Sequence, residues 1–510
     1  MKVQLVSKNT SGLSVIEIII ALALLITIIV GAVETNISSQ YWLVTARIET
    51  EAVYKAKAYI EATRAFSEDD FQSASSTAIG KSYVVGDSAD FLCTLGSLCY
   101  FVQNNVTDIS SCSKYVDIDV SWRMSIRYPT TSVVIPTYLT NYSEIIRKGG
   151  DCSITLPLGD WLHTAPTVVG SQIVPPVFSS AVDVFQSKIY VISSTSPQLR
   201  IYSVPSAVGL NPILIGTSSV YNKRLNGLDV AKDMYTGRVY AYLAQHSSTS
   251  QLAIVDVTDP VHPVPILERT LSGVVGSASF PQGWRVFVYG NRLYVTTRET
   301  AGPELHVFDI TVPSVAYEII TAAVSLNRTV NDMVVREQVI GGVKRQDLFL
   351  AASSDLKELS IYDVTSNVSS EVASFNLPGS EDASSIFLNG NSLYLGRKSG
   401  SGPELFVFDI PSLISGFPTP RATSEVGADV HTLLGAGLVL YLGTSKSGAE
   451  FQVWNIDSST WSTATANTGR VSSFAVSRLA PHGIDIGLNY LYLQSQSATQ
   501  PEKLTVVYTP

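Results

Sequence analysis

The chain has 510 residues, 45% of them apolar and 15% charged, with a formal net charge of −9. That length allows about three domains, and low charge with abundant Ser, Thr, Gly, Val and Tyr suits an extracellular β-rich protein. No basic block longer than a few residues occurs, which excludes nucleic-acid binding by phosphate neutralisation.

In chain order, the first feature is the apolar run 13–33, whose one charge is Glu17. Its length fits one bilayer crossing. A carboxylate five residues into such a helix is costly in lipid and asks for a partner. Gly12 precedes the run, and Lys2 and Lys8 lie upstream. Ser11-Gly12-Leu13-Ser14-Val15-Ile16-Glu17 resembles the N-terminus of type IV pilins and pseudopilins. The resemblance implies that residues 1–12 are a leader and that a prepilin peptidase cuts after Gly12. Leu13 would then carry a methylated amine, and Glu17 would neutralise that amine on a neighbouring subunit. Leu replaces the family's usual Phe at the new terminus, and no Pro occurs before Pro129. Two plainer readings compete: a signal peptide ending near Val30-Gly31-Ala32, and a simple membrane anchor. Neither explains Gly12 together with Glu17. Without Lys2 and Lys8 the net charge moves from −9 to −11.

Beyond Val33 the apolar residues Ile37, Tyr41, Val44, Ile48, Ala52, Ala56 and Tyr59 recur at helical spacing. One helix is therefore expected over 13–66, about 80 Å long, with 13–33 in a membrane or filament core.

Residues 67–152 read as a small α+β head. Val116, Ile118, Val120 and Trp122 alternate with polar residues, a half-buried strand. This strand, the turn at Pro129 and the segment 132–142 resemble the C-terminal sheet of minor pilins of the PilV type. All four cysteines fall here: Cys93, Cys99, Cys112 and Cys152. Their spacings match no zinc or redox pattern. Beyond an export signal, an even set reads as two disulfides. Three pairings exist, of which we favour Cys93–Cys99 with Cys112–Cys152; four buried thiols are the alternative.

Residues 153–510 carry a sevenfold repeat. Its copies are QLRIYSV (198–204), QLAIVDV (251–257), ELHVFDI (304–310), ELSIYDV (358–364), ELFVFDI (404–410), EFQVWNI (450–456) and KLTVVYT (503–509). A period near 50 signals a propeller or solenoid. A second strand precedes each copy, as at Ile189-Tyr190-Val191, Val239-Tyr240-Ala241 and Leu293-Tyr294-Val295. With the shorter apolar runs that flank these pairs, each unit has four strands. The expected fold is therefore multidomain: a long N-terminal α-helix, a small α+β pilin-like head, then an all-β seven-bladed propeller. Apolar residues at positions two, four, five and seven of the repeat put both sheet faces in contact with neighbours. The last copy ends at the C-terminus, so a strand from before the first blade, 153–158 or 167–173, must close the ring. The units resemble LVIVD-type propeller repeats of bacterial surface proteins, with 252–260 the nearest match; that resemblance implies fold and location, not an activity.

No nucleophile elbow, zinc-protease motif, phosphate loop or EF-hand loop is present, so the chain is not read as an enzyme. The six histidines show no ligand spacing. Asp183, Asp229, Asp332, Asp382 and Asp429 recur near the starts of innermost strands. They would ring a channel mouth and bind a cation such as calcium or a basic ligand, or simply cap turns. The loops 297–303, 397–403 and 445–449 carry Arg298, Arg397, Lys398 and Lys446 and offer a surface for a glycan or protein ligand.

These features together point to a single-pass precursor in the cytoplasmic membrane that becomes a surface or filament subunit. Its expected partners are prepilin peptidase, other pilins or pseudopilins and the pilus assembly machinery. A propeller on every subunit would crowd a packed pilus, so a low-abundance or tip subunit used for adhesion or recognition is expected. The alternatives are a secretion pseudopilin contacting cargo and a membrane-anchored propeller enzyme.

Overall fold

The computed structural model describes residues 15–69, 71, 99–110, 112–123, 131–149, 160–174, 181–205, 211–274, 282–340, 343–416, 419–436, 439–456, 461, 469–476, 480–487, 490–496 and 502–509. Gly12, Leu13, Cys93 and Cys152 lie outside them.

Helix α1 spans Val15–Asp69, 55 residues without a break, with Glu17 in its first turn. Every residue from 15 to 44 is exposed. Beyond that, Ile48, Ala52, Ala56, Tyr59, Ile60, Thr63 and Ser67 form one buried stripe at spacings of three and four. The helix is long and apolar enough to cross a membrane. It is followed by a three-stranded sheet, β1 (Cys99–Ser110), β2 (Ser113–Arg123) and β3 (Thr131–Thr140), in that order. Along β2, Lys114, Val116, Ile118, Val120 and Trp122 are buried while the residues between them are half-buried, the period of two that the sequence carries. Cys112 is buried and disulfide-bonded. No cysteine is free among the described residues.

Next in the chain come the short helix α2 (Tyr142–Lys148) and strand β4 (Thr167–Val174). Seven four-stranded antiparallel sheets follow among the described residues. Blades 1 to 6 cover 182–218, 224–269, 283–318, 330–375, 383–424 and 430–474; blade 7 takes 480–508 together with β4. Each innermost strand packs on the next, and that of blade 7 packs on that of blade 1, so the ring is closed. β4 supplies the closing strand, pairing antiparallel with Glu502–Tyr508 from Thr167↔Tyr508 to Val174↔Glu502.

The repeat motif has a physical reason at each position. Positions two to five are buried and position six is half-buried in five successive blades, as in Leu305–Asp309. The Asp at position six accepts the N–H two residues on, as Asp256 does from Thr258, Asp309 from Thr311 and Asp363 from Thr365; these are Asx-turns that leave the strand. Position one is a staple. Gln198 accepts the N–H of Val220, Gln251 that of Leu271, Glu358 that of Leu377 and Glu450 that of Val476. Glu304 takes Leu326 and Asn327, and Glu404 takes Val426 and Gly427. Each blade's staple ties the third strand to a buried residue in the connection leaving its own blade, Val220, Leu271, Leu326, Leu377, Val426 or Val476, satisfying backbone that would otherwise be orphaned.

One register differs from expectation. Tyr242, not Tyr240, stands opposite Ile254, the place that Tyr294 holds opposite Val307. Tyr240 and Tyr242 share a face, so the alternation alone cannot choose between them.

Candidate functional site

The propeller axis carries two clusters, one near each end of the innermost strands. Near the strand ends, Asp183, Asp229 and Asp485 occupy equivalent positions in blades 1, 2 and 7, each opposite a tyrosine (Tyr190, Tyr242, Tyr492). Each carboxylate accepts a backbone N–H from the next blade: Asp485 from Val184 at 2.6 Å, Asp183 from Val230 at 2.6 Å and Asp229 from Val288 at 2.7 Å. Into this chain of acids α2 inserts Lys148, 4% exposed. Its ammonium donates to both oxygens of Asp183 at 2.8 Å, to Asp229 at 3.0 Å and to the carbonyl of Val230 at 3.3 Å.

Burial pushes Asp183 well above the usual carboxylate range, with Asp485 and Asp229 adding to it against Lys148. Burial also raises Asp485, against the charge of Lys148 and the N–H groups of Val184 and Ile486. For Asp229, burial is outweighed by the charges of Lys148 and Arg147 and by the Val288 N–H, so its carboxyl lies below the usual range. One ammonium thus lies between two of three buried acids, where a lost partner would leave an uncompensated charge. Gly149 ends α2 with φ +72°, and a Cβ there would stand 2.0 Å from the carbonyl oxygen of Lys232. Beside α2 a cleft of about 250 Å³ opens, lined among others by Arg147, Lys232, Asp233, Tyr235 and Asn291.

The five acids expected at one mouth therefore separate. Asp183 and Asp229 come together, joined by Asp485, which the sequence reading missed because Ile484-Asp485-Ile486 did not stand out as a repeat. Where that reading placed a cation such as calcium, the ammonium of Lys148 sits between Asp183 and Asp229. Asp332 lies nearer the opposite end and accepts the N–H groups of Met333 and Ile386. Asp382 and Asp429 lie just before their strands, where Asp382 pairs with Lys398 and Asp429 accepts from Ser399. Among the described residues no group of three or more His, Cys, Asp or Glu side chains is arranged to hold a metal ion.

At the other end, six of the seven innermost strands carry the same one-residue bulge, at Asn226, Trp284, Asn331, Ser384, His431 and His482. A bulge re-aims the side chain it carries. Asn226, Asn331 and Ser384 use theirs to donate to a carbonyl of the next blade, Gly283, Ala383 and Val430 respectively. Trp284, His431 and His482 break that pattern. The two imidazoles stack with centroids 4.0 Å apart. Burial holds both below the usual histidine value, and the charges of His431 and Arg285 push His482 lower still.

The basic loop residues have distinct fates. Arg397 is fully buried, bonded to Glu381 at 2.7 Å and to the Pro378 carbonyl. Lys398 pairs with Asp382, and Lys446 donates to the carbonyl of Val426. Only Arg298 of the four is exposed without an ion pair among the described residues, its guanidinium 4.3 Å from the centroid of Trp284. Of the remaining histidines, His163 and His262 pair with Asp160 and Asp259 on the surface, and His306 is buried against Glu318.

No family model and no curated protein matches this chain. Among solved structures it is similar to "YCF48 bound to D1 peptide", at 9% identity and a TM-score of 0.42, covering 70% of this chain and 97% of that one. By its own topology the chain is a seven-bladed β-propeller preceded by a long apolar helix.

Proposed function

We propose that this protein is a low-abundance subunit of a type IV pilus-like filament and displays its propeller for adhesion or recognition. The observation that carries the reading is the sequence 11–17, SGLSVIE, running into an unbroken helix with Glu17 in its first turn. The first half of that helix exposes apolar side chains all round, and the second half buries one stripe. Such a helix serves as a membrane anchor before assembly and as a packing rod afterwards. Cleavage after Gly12 would leave Leu13 with a free amine four residues from the Glu17 carboxylate, a spacing suited to neutralising a neighbour's terminus in an apolar core.

The test is the N-terminal mass of the protein recovered from cells. A chain beginning at methylated Leu13 supports the reading. An intact Met1, or a start near Glu34, removes it and leaves an anchored or secreted propeller.

A further inference from the structure

At the bulged end of the axis Asp332, Asp382 and Asp429 already have partners, namely backbone N–H groups, Lys398 and Ser399, while two arginines beside Trp284 have no carboxylate among the described residues. Arg285 and Arg298 both lie against Trp284, with guanidinium carbons 5.4 and 4.3 Å from the ring centroid. Arg285 donates to the carbonyls of Asn226 and Trp284, which fixes its position. Arg285 follows the bulge on the innermost strand of blade 3, and its charge acts on Asp332 of blade 4 and His482 of blade 7. His246 of blade 2 is held below the usual histidine value by burial and then by the charges of Arg224 and Arg298.

Among the described residues neither Arg285 nor Arg298 forms an ion pair with a carboxylate within 4 Å. Asp332, the acid that Arg285 feels, already accepts two backbone N–H groups. Like charges held together at the mouth of a low-dielectric channel repel one another and attract an anion. A guanidinium fork matches a carboxylate in plane and spacing. The rings nearby, Trp284 and the stacked pair His431–His482, are the three bulge residues not used as staples between blades. Apolar ring walls with a few convergent charged groups are the usual make-up of a small-ligand site.

We propose that this mouth binds a carboxylate-bearing saccharide, with the carboxylate on Arg285 and Arg298 and the sugar ring beside Trp284 and the His431–His482 pair. The proposal names a ligand class for the recognition reading above and rests on it.

The test is calorimetric titration of the full chain in detergent micelles with trimers of galacturonate, guluronate and a glucuronate-containing saccharide, against neutral galactotriose and sodium sulfate. At least one acidic trimer is expected to bind, with galactotriose and sulfate at least tenfold weaker. Arg298→Ala, an exposed site that the fold tolerates, is expected to weaken that binding at least tenfold, and Arg298→Lys to recover only part of it. No binding to any acidic trimer overturns the proposal. So does sulfate binding as tightly as the saccharide, which would mark a general anion site, or binding indifferent to Arg298→Ala. A chain that begins at methylated Leu13 yet ignores these saccharides removes this proposal and leaves the filament reading standing.

Discussion

The Glu304 staple sets a measurable difference between blades. Its side chain is fully buried and accepts three backbone N–H groups: Thr300 at 3.0 Å, Leu326 at 2.6 Å and Asn327 at 3.0 Å. Gln198, at the same motif position in blade 1, accepts Val220 at 3.0 Å. A buried N–H left without an acceptor costs about 1–3 kcal/mol. Glu304→Ala strands two buried N–H groups, those of Thr300 and Leu326, and frees that of the exposed Asn327 to water, so we expect a loss of about 4 kcal/mol; Gln198→Ala strands one and should cost about 1.5 kcal/mol. Glu304→Gln keeps one acceptor oxygen and should fall between them. Urea unfolding followed by far-ultraviolet circular dichroism, at unchanged m-value, measures all three. Equal losses for Glu304→Ala and Gln198→Ala, or a loss under about 1 kcal/mol for Glu304→Ala, would refute the assignment of position one as a backbone staple.

Lys148→Met leaves Asp183 and Asp229 buried without their counter-ion, at a cost of about 3–5 kcal/mol near neutral pH. Asp183 already lies above the usual carboxylate value and loses the charge that held it down, while Asp229 loses the charge that held it below, so both rise and the folded variant binds more protons than the parent. Its deficit against the parent should shrink toward pH 5 and grow toward pH 8, and a pH-independent deficit argues against the ion pair. His431 and His482 run the other way: their folded pKa values lie below the unfolded value of 6.5, so the unfolded chain binds more protons and stability falls as pH drops below about 6.5. His482→Gln should flatten that acid limb in thermal melts between pH 7 and 5. Gly149→Ala forces a side chain into a left-handed turn, at about 1–2 kcal/mol before any clash with the Lys232 carbonyl; protease should then cut near residue 149 faster than in the parent.

The propeller was legible because its repeat is written in burial: a strand apolar on both faces needs cover on both sides, and seven such strands at a regular period find it in a ring of blades. β2 was legible for the opposite reason, an alternation that buries one face only. The site was harder to read. Asp183 and Asp229 stand out as recurring acids, but Lys148 sits before the repeat begins, in the stretch 145–176, which contains Gly149-Gly150 and reads as a link. Nothing local marks it as the counter-ion of acids 35 and 81 residues away. Position one of the motif was visible as a run of Gln and Glu, yet its purpose lies in N–H groups about 20 residues downstream. The bulge positions were invisible. Asn226, Trp284, Asn331, Ser384, His431 and His482 share no chemistry, only a place in the backbone where one extra residue interrupts the pairing.

β4 and the final strand meet across 341 residues, at Thr167 and Tyr508. Joining ends that far apart in an otherwise unstructured chain costs about 5 kcal/mol of configurational entropy. The partner of β4 is also synthesised after every other strand of the ring. Until it arrives, β4 and the growing end of the sheet both present unpaired edges, the kind of surface on which chains aggregate or exchange strands. Blades formed early reduce the distance the ends must travel, so the array folds like a zipper whose last tooth is also its first. A chain arrested short of residue 502 would keep its inner packing but lack the pairing that ties blade 7 to β4, and anything that holds strand 502–508 away leaves that edge open.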